Sequence, residues 1–286
     1  MITLSTPTEV RRFTLDLQRD GKRVGVVPTM GALHEGHMSL VEMSQQQCDA
    51  TIATIFVNPA QFAPTEDLAR YPRTLDQDRE LLQQANVAAV FVPSNDAMYP
   101  PGFSTYVQPP EIARSLEGAS RPDHFRGVTT VVMKLFQSIP ADCAFFGKKD
   151  YQQWKVIDAM ARDLDVGIEV IAGEIIREAD GLALSSRNRY LSPSERRSAL
   201  NLSRALDRVE DLVGKGQHDA AILQDEMRRT LVNEPSVDHI DYAVLVSAET
   251  LVPITQIDRP VVALIAARVG KTRLIDNREL GWKRAD

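Results

Sequence analysis

The chain has 286 residues, of which 43% are hydrophobic; this is ample for a globular core and favours two domains over one. Its net charge of -6 argues against a nucleic-acid partner, because a duplex-binding surface needs a basic stripe. No apolar run approaches the roughly 18 residues of a membrane span, and two cysteines are too few for a disulfide framework. The N-terminus also lacks the basic and apolar regions of a signal peptide, so we expect a cytoplasmic protein without a membrane partner.

The first part of the chain alternates between predicted strands and helices. A capping box at Thr6 to Glu9 starts a helix that is predicted to reach about Arg19. The apolar run Val24 to Val27 is typical of a buried parallel strand, and a helix is predicted over 38–47. Further strands are predicted at 50–57, 88–92, 143–146 and 168–172. Further helices are predicted at 74–86 and 126–139, and a third follows Asp150 and reaches about Asp163. This alternation predicts a Rossmann-like α/β fold, with helices on both faces of a parallel sheet.

The pattern changes after Arg177. A polar loop spans 181–188, and a second capping box at Ser192 to Glu195 opens a long helix. A further helix is predicted at 217–231, and strands at 238–246, 261–269 and 272–276. Gly-Lys-Thr at 270–272 is interpreted as a hairpin turn, because Ile265 stands where a P-loop needs glycine. We therefore predict domains at 1–176 and 177–286, the second a smaller α+β unit.

Residues 28–37, Pro-Thr-Met-Gly-Ala-Leu-His-Glu-Gly-His, join the strand that ends at Val27 to the following helix. Gly31 and Gly36 allow the backbone to approach a ligand closely, and the helix N-terminus attracts phosphate. His34 and His37 can donate hydrogen bonds to an oxyanion. The residues alone leave open a solvated turn and a nucleotide phosphate site. A zinc site is disfavoured because the histidine spacing is wrong and no further ligand is near.

A family resemblance adds to this interpretation. His-Glu-Gly-His resembles the His-x-Gly-His signature of nucleotidylyltransferases, and the whole decapeptide is similar to the pantothenate synthetase (pantoate–β-alanine ligase) family. That family's motifs also resemble Phe-Val-Asn-Pro-Ala-Gln-Phe at 56–62, Phe-Gly-Lys-Lys-Asp-Tyr-Gln-Gln at 146–153 and Leu-Ser-Ser-Arg at 184–187. The match is close over 28–190 and weak beyond. No Gly-x-Gly-x-x-Gly follows a predicted strand, so a dinucleotide dehydrogenase is unsupported.

The resemblance implies a set of site residues. His34 and His37 would be catalytic, and Gln61 would bind β-alanine as well as pantoate. The implied pantoate-binding residues are Asn58, Gln61, Val132 and Gln153. The implied ATP-binding residues are Met30, Gly31, Ala32, Leu33, His34, Glu35, Gly36, His37, Gly147, Lys148, Lys149, Asp150, Ile176, Leu184, Ser185, Ser186 and Arg187. Lys148 stands at a variable position and receives no role of its own, and His124 is interpreted as structural.

The implied activity is the ATP-dependent condensation of (R)-pantoate with β-alanine. It would proceed through a pantoyl adenylate, with ATP as substrate, Mg²⁺ bridging its phosphates and no protein-bound metal. The family also implies a homodimer and a C-terminal lid at 177–286. Two alternatives remain. A nucleotidylyltransferase with a phosphorylated acceptor would want basic residues that the 58–62 loop lacks, and a non-catalytic nucleotide-binding regulator would have no reason to retain both histidines.

Overall fold

The computed structural model describes residues 1–64, 66–233 and 235–281. The chain forms two compact units. The first contains Met1–Lys148 and Gln152–Glu174, and the second contains Lys149–Tyr151 and the residues from Ile175 onward. The division into a binding domain at 1–176 and a lid at 177–286 concerns function and stays a prediction. No helix in the described part of the chain is long and apolar enough to span a membrane.

Within the described residues, the first unit contains a six-stranded parallel sheet in the order β1-β4-β3-β2-β5-β6. Its strands are β1 (Ile2–Leu4), β2 (Val24–Thr29), β3 (Ala50–Ile55), β4 (Ala89–Phe91), β5 (Cys143–Gly147) and β6 (Glu169–Gly173). The predicted parallel sheet is confirmed. The short strand β1 was not predicted, because three residues carry too little periodicity to identify a strand.

Helices cover both faces of this sheet, as predicted. They are α1 (Pro7–Arg19), α2 (Glu35–Gln47), α3 (Leu75–Gln84), α4 (Asn95–Met98), α5 (Glu117–Ser120), α6 (His124–Ser138) and α7 (Tyr151–Asp163). Successive strand residues point to opposite faces. Accordingly, Val26 belongs to an apolar cluster with residues of α1, α6 and α7, whereas Val27 belongs to a second cluster with residues of α2 and α3.

The direction of the strands positions the candidate site. All strands of a parallel sheet present their carboxyl ends at the same edge, and ligands bind where neighbouring connections run in opposite directions. Here the chain leaves β2 towards β3 on one side, while β5 lies on the other side of β2. The segments that follow β2, β3 and β5 therefore begin at a single edge, at such a switch point.

The second unit is a small α+β structure, which confirms the predicted class. It contains α8 (Pro193–Gly214), α9 (Ala220–Val232), β7 (Val237–Ser247), β8 (Val261–Val269) and β9 (Thr272–Leu280). In the described residues the strands form an antiparallel β7-β8-β9 sheet, and the two helices share an apolar core with it. The turn at Gly270 joins β8 to β9 as a hairpin, as predicted.

Candidate active site

The loop between β2 and α2 has an unusual backbone. Gly31 has a φ of 80° and Ala32 a φ of 51°, so successive residues lie in the left-handed region. At Gly31 a Cβ atom would lie 3.0 Å from Asp78 Oδ2 and 3.1 Å from Ile55 Cγ2. Glycine is required at this position by both its dihedral angle and its surroundings, whereas Ala32 holds a conformation that costs an L-residue free energy.

Asp78 of α3 holds this loop in place. Its carboxylate accepts hydrogen bonds from the backbone N–H groups of Ala32 at 2.9 Å and Leu33 at 2.8 Å, and from the Thr74 hydroxyl at 3.2 Å. Asp78 is only 2% exposed. A charged acceptor of several buried donors forms strong hydrogen bonds, so the carboxylate fixes the backbone just before His34. Sequence reasoning missed Asp78, because an acid in the first turn of a helix is common for its favourable interaction with the dipole.

The two histidines lie at the start of α2. His34 is the N-cap residue, with extended backbone, and the helix begins at Glu35. The prediction that this helix begins at residue 38 is therefore wrong, because it begins three residues earlier. His37 lies in the first helical turn, because Gly36 is tolerated there instead of breaking the helix. The signature thus provides both the cap and the first turn of α2.

The imidazoles lie close together, with ring centroids 4.1 Å apart and planes inclined by 39°. The backbone N–H of His34 donates a hydrogen bond to His37 Nδ1 at 3.3 Å. Since Nδ1 is the acceptor in this contact, the proton of the neutral ring lies on Nε2. His37 can therefore present an N–H donor from the far side of its ring, which is what stabilisation of a phosphoryl oxygen requires.

The loop after β3 brings Gln61 to the first motif. Asn58 caps a short 3-10 helix, Pro59–Gln61, and its side chain is buried. Asn58 Nδ2 donates to Gln61 Oε1 at 3.0 Å, and Gln61 Nε2 lies 3.4 Å from Met30 Sδ. The structure therefore brings together members of two predicted motifs, 30–37 and 58–61, at the carboxyl edge of the sheet.

Residues at the start of α6 and just before it form hydrogen bonds with the backbone carbonyl of Gln61. His124 Nδ1 lies 3.0 Å from the Gln61 carbonyl oxygen, and Arg121 Nη2 donates to the same oxygen at 3.4 Å. Burial, reinforced by the nearby Arg121 charge, lowers the pKa of His124 to about 4. Because a carbonyl only accepts, the neutral His124 carries its proton on Nδ1. Arg121 is in turn held by both carboxylate oxygens of Glu66, at 2.6 and 2.7 Å.

The remaining predicted pantoate and phosphate residues of the first unit lie on β5, α6 and α7. Val132 is buried on α6, and Gln153 is partly exposed in the first turn of α7. Gly147 ends β5, and Lys148 follows it. Lys148 Nζ donates to Glu174 Oε1 at 2.6 Å, so its ammonium group already has a carboxylate partner.

The second unit contains the other predicted phosphate-binding residues. Lys149 and Asp150 belong to it, with the Lys149 ammonium 3.8 Å from the Asp150 carboxylate. In the loop that leads to α8, the Leu184 N–H donates to the Ile176 carbonyl at 2.9 Å. Ser185 Oγ accepts from the Arg187 N–H at 3.3 Å. These contacts form a hydrogen-bonded turn around the Leu-Ser-Ser-Arg segment.

The base of this turn is anchored to β9. Arg177 donates to both carboxylate oxygens of Asp276, at 2.8 and 2.9 Å, and Asp276 is 2% exposed. Asn188, at the other end of the turn, donates to Glu178 Oε1 at 2.7 Å. Sequence reasoning missed Asp276 as an anchor. Among the described residues, no group of three or more His, Cys, Asp or Glu side chains is arranged to hold a metal ion.

Comparison with known proteins identifies the family. The sequence profile described as pantoate-beta-alanine ligase matches residues 2–279. A pantothenate synthetase of Rhodopirellula baltica is 50% identical over 98% of this chain and 99% of its own length. The crystal structure of pantothenate synthetase from Thermus thermophilus superposes with a TM-score of 0.92, at 44% identity over 98% of this chain and 99% of that one.

A third relative was solved with ligands. The crystal structure of pantoate-beta-alanine ligase from Francisella tularensis, complexed with beta-gamma ATP and beta-alanine, has a TM-score of 0.79. It is 32% identical and covers 98% of this chain and 97% of its own. The likeness thus extends over both units and beyond the 28–190 span in which the sequence motifs were recognised. The chain belongs to the pantoate–β-alanine ligase family.

Proposed function

We propose that this chain is a pantoate–β-alanine ligase, which condenses (R)-pantoate with β-alanine at the expense of ATP. The observation that carries the proposal is the pair of imidazoles at the N-terminus of α2. They lie 4.1 Å apart, on a backbone held by Asp78, and the Gln61 loop contacts Met30 of the same motif. Oriented N–H donors at a helix N-terminus suit a phosphoryl group that gains negative charge during transfer.

The proposed reaction has two steps. The pantoate carboxylate oxygen attacks the α-phosphorus of ATP, the bond to the bridging oxygen breaks, and pyrophosphate leaves. The β-alanine amine then attacks the carbonyl carbon of the pantoyl adenylate and loses a proton, and AMP departs with its oxygen. His37 would donate from Nε2 to the α-phosphoryl oxygens, with His34 beside it. Because the transition state of phosphoryl transfer demands mainly positioning and charge stabilisation, these donors suffice without a covalent intermediate on the protein.

Substrate contacts are proposed from the family motifs. Gln61 and Gln153 would hold the oxygens of pantoate through uncharged amides, with Asn58 and Val132 lining the same subsite. The ATP contacts would come from residues 30–37, 147–150, 176 and 184–187, in which Lys149 and Arg187 provide charge for the departing pyrophosphate. ATP would enter as its Mg²⁺ complex, in which phosphate oxygens and water hold most of the ion's coordination sites.

The order of steps provides the test. If the reaction passes through an acyl adenylate, the protein exchanges labelled pyrophosphate into ATP when pantoate, ATP and Mg²⁺ are present and β-alanine is absent. Adding β-alanine then releases AMP and forms the amide. Exchange that requires a phosphorylated acceptor instead of pantoate would support a nucleotidylyltransferase, and ATP binding without exchange would support the regulator. Formation of ADP would exclude adenylation.

Three further properties are proposed with the activity. The 177–286 segment would act as a lid, which predicts that ATP protects residues 180–190 from limited proteolysis. The family resemblance supports a homodimer, which light scattering on the purified protein would detect as twice the chain mass of 31.8 kDa. The cysteine content supports a cytoplasmic location, which cell fractionation tests.

A further inference from the structure

The side-chain amide of Asn58 is held in a single orientation. Its oxygen, Oδ1, accepts from the Ala60 backbone N–H at 3.3 Å and from the Tyr99 hydroxyl at 2.7 Å. Its nitrogen, Nδ2, donates to the Gly127 carbonyl at 3.2 Å and to Gln61 Oε1 at 3.0 Å. A flipped amide would set donor against donor at Ala60 and oxygen against oxygen at Gly127. Because both of these partners are backbone groups, the polarity of the Asn58 amide is fixed.

The fixed orientation of the Asn58 amide also determines the orientation of the Gln61 amide. Since Asn58 donates to Gln61 Oε1, the oxygen of the Gln61 amide is engaged and its nitrogen is turned away from Asn58. Gln61 Nε2 lies 3.4 Å from the Met30 sulfur, which is a weak acceptor. The second N–H of Gln61 Nε2 can therefore donate to a ligand, while Oε1 accepts from Asn58. A ligand group at this position must offer an acceptor oxygen, such as that of a carboxylate or a hydroxyl.

We propose that Tyr99 is a positioning residue for pantoate, which acts through Asn58 to hold the Gln61 amide with its N–H groups towards the substrate. This inference rests on the proposed function for the identity of the ligand. Tyr99 is the C-cap residue of α4 and was not among the predicted site residues. Its hydroxyl is the shortest contact to the Asn58 amide, so its loss would leave Asn58 Oδ1 with the longer bond from Ala60.

The surroundings of Tyr99 suit a donor role. Burial raises the pKa of the Tyr99 phenol, so the hydroxyl keeps its proton at neutral pH. The ring packs edge-on against Phe103 at 5.1 Å between centroids and lies 6.3 Å from Phe56. These ring contacts hold the phenol in place independently of its hydroxyl. Tyr99→Phe therefore removes the donor and leaves the ring packing intact.

The approach of α6 completes the network. At Gly127 a Cβ atom would lie 2.2 Å from the Ala60 carbonyl oxygen, so only glycine allows the helix to approach the loop this closely. This contact brings the Gly127 carbonyl within reach of Asn58 Nδ2. Two backbone groups, the Ala60 N–H and the Gly127 carbonyl, therefore fix the orientation of the Asn58 amide. Tyr99 supplies a further donor from a separate segment of the chain.

The test compares Tyr99→Phe with Tyr106→Phe. Tyr106 lies in the same segment, contacts Phe103 edge-on and is 45% exposed, so its variant loses a hydroxyl without touching the network. We expect Tyr99→Phe to raise the pantoate KM about tenfold, the effect of one lost buried hydrogen bond. The ATP KM and the kcat should stay close to wild type, the thermal midpoint should fall by only about 2–4 °C, and Tyr106→Phe should change none of these. An unchanged pantoate KM in Tyr99→Phe would overturn the inference. So would losses of ATP and pantoate affinity that simply follow a lowered thermal midpoint.

A double-mutant cycle tests the route through Gln61. If Tyr99 acts by orienting the Gln61 amide, adding Tyr99→Phe to Gln61→Ala should weaken pantoate binding by no more than about twofold. Calorimetric titration with pantoate measures this even where turnover is slow. Equal effects in both backgrounds would refute the route. Wild-type protein that fails to exchange pyrophosphate with pantoate would overturn the proposed function, whereas active wild type with an unaffected Tyr99→Phe would overturn only the role of Tyr99.

Discussion

Asp78→Asn tests how far the two proposed catalytic histidines, His34 and His37, depend on a residue that is outside their motif. The two carboxylate oxygens accept from the N–H groups of Ala32 and Leu33, at 2.9 and 2.8 Å. An isosteric amide keeps only one acceptor oxygen and turns its NH₂ group towards the other backbone donor. One buried N–H thus loses its partner, and the other bonds to a neutral oxygen.

The expected magnitude follows from these two changes. Leaving a buried donor unsatisfied costs about 1–3 kcal/mol, and a hydrogen bond to a charged group is worth about 1 kcal/mol more than one to a neutral group. The free energy of unfolding should therefore fall by about 2–4 kcal/mol. Because Ala32 holds a positive φ of 51°, the loop should also relax once the restraint weakens. Displacing His34 and His37 by about 1 Å would cost about 10²-fold in rate.

Two measurements separate stability from geometry. Urea unfolding gives the free energy of unfolding, and pyrophosphate exchange, under conditions where both proteins are folded, gives the rate per native molecule. Asp76→Asn is the matched control, because Asp76 is an exposed carboxylate in the first turn of the same helix. We expect the pyrophosphate exchange rate of Asp76→Asn to stay within twofold of the wild-type rate. If Asp78→Asn loses stability but exchanges pyrophosphate at the wild-type rate, the carboxylate does not position the histidines and the reasoning is wrong.

Two further predictions concern the histidines. His37→Ala should lower the pyrophosphate exchange rate by about 10²–10³-fold with the fold intact, as expected for the loss of an oxyanion donor. His239 is exposed, so His239→Ala should leave the exchange rate unchanged. Near-normal exchange by His37→Ala would show that His37 does not stabilise the transferring phosphoryl group. The folded protein lowers the pKa of His124 from 6.5 to about 4, so the unfolded chain binds the extra proton between these values. Stability contributed by neutral His124 is complete above pH 6.5 and is lost as the pH falls towards 4, by about 3 kcal/mol at most. His124→Asn, which keeps a donor for the Gln61 carbonyl, should lose less stability over this window in urea titrations, and an identical pH dependence would contradict the assignment.

Local chemistry made the most accurate predictions from sequence. The capping boxes at Thr6 and Ser192 identified the starts of α1 and α8 to the residue, because the cap and its N3 partner are only three positions apart. The alternation of apolar runs with helical segments identified the parallel sheet, because buried strands and amphipathic helices have different periods. Helix α2 was placed too late because glycine was treated as a boundary, although Gly36 lies inside the first turn.

Capping motifs and hydrophobic periodicity could not predict contacts between residues that are far apart in the sequence. Strand β9 was predicted to end at Asp276, yet Asp276 is buried and bonded to Arg177, 99 positions away, and the strand continues to Leu280. Likewise, Asp78 bonds to Ala32 across 46 positions and Tyr99 to Asn58 across 41. A side chain whose partner is distant in sequence looks like any surface acid or loop aromatic. Only the folded chain distinguishes it.

The groups that hold the two loops of the first unit are opposite in polarity, and this follows from what each loop exposes. The loop after β2 turns backbone N–H groups inward, so it needs an acceptor, and Asp78 provides a buried carboxylate. The loop after β3 turns the Gln61 carbonyl inward, so it needs donors, and Arg121 and His124 provide them. A carboxylate at the second position would repel the carbonyl, and a cation at the first would repel the N–H groups. The supporting residues are therefore as restricted in chemical type as the histidines and the glutamine that they hold, although none of them needs to touch a substrate.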